Sequence, residues 1–230
     1  MESVGASMTK KTKLLMVPVC AAFLVLSASS LLQDIVLQVV EGNAASENKV
    51  WLLDVDSEDS FYTWFSASLI FLNAAMLYLI GVTVRTGRWS WLFLAGIFAV
   101  LSADEAMSFH ERASGILSGM IGVGGVFYFA WVIPALVLCG LGALAYIPFL
   151  KRLGRPYAGL FILSAALFIA GAVGIEMVAG VIVQDGGTSS LAYRLATNVE
   201  ETLEGLGMVV FFYTLLRYFL EVASPSAASA

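Results

Sequence analysis

Charge is what this sequence has least of. Asp, Glu, Lys and Arg together make up 13% of its 230 residues, and hydrophobic residues make up 60%. A soluble domain carries about 25% charged residues and has no interior able to hide so much apolar surface, whereas lipid-facing helices need not hide it. Histidine is nearly missing, with His110 standing alone. One histidine and no Glu-x-x-His point away from the usual di-iron bundle set and from histidine-rich zinc hydrolases. The two cysteines, Cys20 and Cys139, lie inside apolar runs, so neither a disulfide framework nor a cysteine-ligated metal is expected. Basic residues are outnumbered, with 12 Lys+Arg against 17 Asp+Glu, and no basic stripe with interleaved aromatics occurs. Nucleic acid is thereby excluded as a partner. P-loop, Gly-x-Ser-x-Gly and His-Glu-x-x-His motifs are also absent.

What is present is a series of long apolar runs. They cover 14–40, 61–84, 89–111, 126–150, 157–183 and 191–218, and each reaches the roughly 20 residues that a membrane helix needs. Lys10, Lys11 and Lys13 ahead of the first run resemble a signal peptide, but the run continues well past Ser30 and predicts a spanning helix. The expected fold is an all-α, polytopic bundle of six transmembrane helices in one domain over 14–222. It has an N-terminal segment 1–13, an acidic loop 41–60 and a disordered tail 223–230. Pro134 predicts a kink in the fourth helix.

Charge asymmetry sets the expected orientation. Lys10, Lys11, Lys13, Arg85, Arg88, Lys151, Arg152, Arg155 and Arg217 fall on one side. Lys49, Arg112 and Arg194 fall on the other. The positive-inside rule then puts both termini in the cytoplasm of a cell whose inner (plasma) membrane holds the protein. Trp51, Trp64, Trp89, Trp91 and Trp131 are expected at the interfaces. The turns Arg85-Thr-Gly-Arg88 and Arg152-Leu-Gly-Arg155 share a pattern too short to establish a repeat. In the loop, Asp54-x-Asp56-x-Glu58 begins like a calcium loop. Asp59 and Phe65 occupy the positions that need Gly and Glu, so a solvated acidic loop is the expectation.

Chemistry is expected where acid enters the spans, because ionisable groups there are costly and ask for a reason. The stretch Asp104-Glu105-x4-His110-Glu111 closes the third run, with Asp104 about 22 Å along a helix crossing a core of about 30 Å. Glu200, Glu201 and Glu204 lie in the upper half of the sixth run, and Glu176 near the outer end of the fifth. At about 100° per residue, Asp104, His110 and Glu111 share one face, as do Tyr193, Thr197, Glu200 and Glu204. Asp34, His110 and Glu111 also fit as end residues reaching to the headgroups. Arg112 and Arg194 are the nearby cations, with Glu111 and Glu201 as their expected partners.

So many carboxylates in a low-dielectric site call for protons or a bound cation. The leading expectation is a divalent-metal site, holding Zn, Mn or Fe. Its candidate ligands are Asp104, Glu105, His110, Glu111, Glu176, Glu200 and Glu204. Glu200 or Glu204 would be the general base in hydrolysis or oxidation of a lipid-like substrate. Two alternatives stand beside it. One is proton- or cation-coupled transport, and the other is an accessory or assembly subunit. The expected partners are the lipid bilayer and either a second copy or another member of a membrane complex.

Overall fold

The structure, a computed structural model, describes residues 2–223. Among the described residues every regular element is helical. They are α1 (Glu2–Glu41), α2 (Phe61–Thr83), α3 (Arg88–Met107), α4 (Phe109–Ile121), α5 (Val132–Leu153), α6 (Arg155–Ile169), α7 (Glu176–Gly186) and α8 (Leu191–Tyr218). A π-helical turn, Ala170–Ile175, joins α6 to α7. Counting α6 through α7 as one, six helices among the described residues are long and apolar enough to cross a membrane. The expected tail lies outside the described residues from 224 onward.

Local sequence explains most boundaries. Ser60 and Ser190 cap α2 and α8, their hydroxyls accepting the backbone N–H groups of Thr63 at 3.1 Å and Tyr193 at 3.2 Å. The two Arg-x-Gly-Arg turns place Gly87 at φ 70° and Gly154 at φ 86°, left-handed conformations that free the chain to reverse before α3 and α6. Pro134 kinks nothing. It lies in the first turn of α5, where a missing N–H leaves no helical bond unmade.

The third span does not run on to Glu111. It breaks at Ser108, which stands at φ 51°, and α4 restarts at Phe109 and continues to Ile121, through much of the segment between the third and fourth apolar runs. Asp104 bridges the break. Its Oδ1 accepts the His110 backbone N–H at 2.8 Å, and its Oδ2 lies 3.0 Å from His110 Nδ1. A side-chain cap reaching back from the previous helix thus stabilises the new N-terminus.

At the centre stands α8, packed against α1, α2, α6, the π turn and α7, while α5 leans mainly on α6. Close approach depends on glycine. A Cβ at Gly207 would lie 2.9 Å from the Ser164 carbonyl and the Phe168 nitrogen of α6. The half of the bundle near the basic turns is filled by aromatic rings. Trp91 meets Phe149 at 4.9 Å and Tyr218 at 5.0 Å, and Phe98 stacks on Phe211 at 4.8 Å. Trp91 is therefore a core residue, 1% exposed, and not an interface anchor, whereas Trp51, Trp64 and Trp89 are exposed. On α5, Leu136, Val137, Leu138, Leu141 and Leu144 face outward, as lipid-facing side chains do.

Candidate functional site

The end opposite the aromatic core holds two distinct polar assemblies. The first is an ion-pair network that ties the loop to the bundle. Arg194 of α8 pairs with Asp54 and Asp56 of the loop, and its Nε lies 3.6 Å from Asp34 of α1. Lys49 pairs with Asp34 and, at 3.0 Å, with Asp54. Asn198 donates to Asp34 at 2.8 Å. The loop backbone is also held, with Val50 N–H on Gln33 at 2.8 Å and Val55 N–H on Ser30 at 3.2 Å.

This network overturns three expectations. Arg194 does not serve Glu201. Asp34 is not a snorkelling end residue but fully buried between two cations. The loop is only partly solvated, since Asp54 and Val55 are buried. Burial pushes the Asp56 carboxyl up to about 6 against the pull of Arg194.

The second assembly is a cavity of about 450 Å³ beneath the loop. Its walls carry Glu105 from α3, His110 and Glu111 from α4, Glu176 from α7, and Glu200 and Glu201 from α8. Asp56 and Glu58 close it from the loop side, and Tyr128, Trp131 and Tyr193 add aromatic faces. Glu176 is the first residue after the π turn. That turn lets Gly171 pack against α8, where a Cβ would lie 2.7 Å from the Glu200 carbonyl. π turns of this kind recur at functional sites.

Within the cavity the groups form linked pairs. Trp131 Nε1 donates to Glu176 Oε1 at 2.9 Å, and its ring lies 5.0 Å from His110. Glu176 in turn faces the Glu200 carboxyl within hydrogen-bonding reach. Glu111 faces Glu58 in the same way, and burial, then Glu58, raises its pKa. For His110, burial lowers the pKa, but the hydrogen bond and charge of Asp104, with Glu111 and Glu176 behind it, raise it overall. Asp104 Oδ2 accepts from His110 Nδ1, so this bond engages Nδ1 and not Nε2.

Of the expected site residues, Glu105, His110, Glu111, Glu176 and Glu200 share this wall. Asp104 stands behind His110 as its support, and Glu204 packs against Gly171, where a Cβ would lie 2.8 Å from Glu204 Cγ. Glu201 belongs to the wall although its phase on α8 put it beside the stripe. Tyr62 explains part of this arrangement, because its hydroxyl donates to the Glu201 carbonyl from the buried face of α2. Among the described residues, no three His, Cys, Asp or Glu side chains converge closely enough to hold a metal ion. The acid lines a cavity; it does not form a ligand cage. Sequence reasoning missed Trp131, Asp56 and Glu58, whose roles come from contacts made far along the chain.

The fold and site define a polytopic helical membrane protein with an acidic cavity at one end. Residues 16–219 match the family described as "Domain of unknown function (DUF8692)", and the chain belongs to that family. No curated protein and no solved structure matches the chain.

Proposed function

We propose that this is a plasma-membrane protein, both termini cytoplasmic, whose cavity opens to the outside and binds a cation. One observation carries the reading. The buried basic side chains at this end, Lys49 and Arg194, are committed to Asp34, Asp54 and Asp56. The cavity carboxylates Glu105, Glu176, Glu200 and Glu201 are left with His110 as the basic group on their wall. Carboxylates gathered in a low-dielectric site repel one another by several kcal/mol per close pair, at an effective dielectric of about 20. A cation entering from outside relieves that repulsion. The orientation rests on the basic turns and the positive-inside rule.

Zn, Mn or Fe ions suit carboxylates and an imidazole chemically. The wall residues fit such ions poorly as placed, because no three of them converge. A larger cation, held by charge and by the faces of Trp131, Tyr128 and Tyr193, fits the spread of groups better. Transport is disfavoured by the packed aromatic core beyond the cavity. Hydrolysis keeps one supporting observation, the His110 ring oriented by Asp104 in the manner of a general base.

The test is equilibrium binding of tetramethylammonium and Mn²⁺ to the purified protein in nanodiscs. Glu200→Gln should weaken the binding at least about tenfold, the loss of one close charge contact. Binding no greater than to empty nanodiscs for both ions would remove the proposal.

A further inference from the structure

A second hollow lies beside the cavity, on the lipid-facing side of α2 and α3. It is a groove of about 680 Å³ whose floor is made of small residues, Ala67, Ser68, Ser102 and Ala106. Its rims include Trp64, Phe71 and Leu72, all exposed. The groove follows α2 from Ser60 to Leu72, about 18 Å at 1.5 Å per residue. That is slightly more than the roughly 15 Å of hydrocarbon in one leaflet. On that floor the Ser102 hydroxyl is already bonded, its Oγ donating to the Ala67 carbonyl at 2.8 Å. Such a surface suits an apolar chain.

The groove and the cavity adjoin. Glu58 and Thr63 line both. Towards Phe71 and Leu72 the groove is apolar, whereas the cavity on the other side of Glu58 and Thr63 is acidic and partly enclosed. Glu200 stands at the acidic end, 8% exposed, with its carboxyl facing that of Glu176 within hydrogen-bonding reach.

We infer that the occupant is a single-chain amphiphile with an alkylammonium headgroup, entering sideways from the outer leaflet. The chain lies in the α2–α3 groove, and the headgroup passes Glu58 and Thr63 into the cavity. Charge complementarity fixes the headgroup, because the wall carboxylates repel an anion and attract an ammonium, and the rings of Trp131 and Tyr128 supply faces for it. The inference rests on the cation reading above and adds the chain to it.

Calorimetric titration of the full chain in nanodiscs, with empty nanodiscs subtracted, tests it. Tetramethylammonium, hexyltrimethylammonium and hexylphosphocholine are the probes, against wild type, Ser68→Trp and Ala106→Trp. Burying a methylene tightens binding roughly fourfold, so a hexyl chain partly seated in the groove gives on the order of 100-fold over tetramethylammonium. Each indole fills the groove and should cut that ratio at least about tenfold while leaving tetramethylammonium affinity unchanged, which also shows the variant to be folded. If one variant fails to fold, the other carries the test. A wild-type ratio below about threefold, or one that survives both indoles, overturns the groove assignment. Hexylphosphocholine binding as tightly as the cationic probe overturns the headgroup. Failure of tetramethylammonium itself to bind sinks the underlying cation reading instead.

Discussion

Replacing Gly171 by alanine probes the contact that places α8 against the π turn. The added Cβ would lie 2.7 Å from the Glu200 carbonyl oxygen, 2.8 Å from Glu204 Cγ and 3.1 Å from the Glu204 nitrogen. Two of these are backbone atoms of the central helix, which is packed on several sides and cannot yield by rotating a side chain. The clash must be relieved by moving α8 or the π turn, and overpacking of this kind costs about 1–3 kcal/mol. Gly174, in the same turn, provides the control. A Cβ there meets nothing within 4 Å. Gly174→Ala should be neutral or stabilise by up to about 1 kcal/mol, the helix-propensity difference between the two residues. Reversible unfolding in mixed micelles, followed by tryptophan fluorescence, should separate the two variants by about 1–4 kcal/mol. Equal stabilities, or Gly171→Ala the more stable, would refute the packing argument.

Other expectations follow from the polar assemblies. Arg194→Met leaves Asp34, Asp54 and Asp56 buried or half-buried with Lys49 alone, and breaking such a pair costs about 3–5 kcal/mol. Adding Asp54→Asn to that variant should recover part of the loss in the same unfolding assay, and additive losses would speak against a shared network. For His110 the folded pKa is raised above its ordinary 6.5, so the stabilisation from its link to Asp104 is complete below that value and fades as pH rises through the folded pKa. The stability gap between wild type and Asp104→Gln should therefore narrow as pH rises above about 6.5. A gap that is constant or widens contradicts the assignment.

The spans were legible in the sequence because lipid imposes length and apolarity on each helix separately. The last one, Leu191–Tyr218, is found with the expected limits, and its start is marked by a serine cap that any sequence shows. The break at Ser108 was not legible. Ala-Met-Ser-Phe contains no glycine or proline, and the helix ends there because Asp104 caps the next one across the gap. Nor was the partner of Arg194, since Asp54 lies 140 residues earlier and only the folded loop brings it near. The candidate site was half visible. Phase on single helices grouped Glu200 with Glu204, but the close approach allowed by Gly171 turns Glu204 into the helix interface and leaves Glu201 to line the cavity. Trp131 looked like an interface anchor because nothing local distinguishes a tryptophan at a headgroup from one bonded to Glu176.

The cavity proposed above is anionic, open to the outside and filled by a cation. Ser118→Cys puts a thiol of nearly the same size on the cavity wall, once Cys20 and Cys139 are replaced by alanine. Intact cells are then treated with membrane-impermeant thiol reagents of opposite charge. A trimethylammonium-bearing reagent should react at least about tenfold faster than a sulfonate-bearing one, and added tetramethylammonium should slow it. Equal rates for the two reagents, or no labelling from outside, would contradict it.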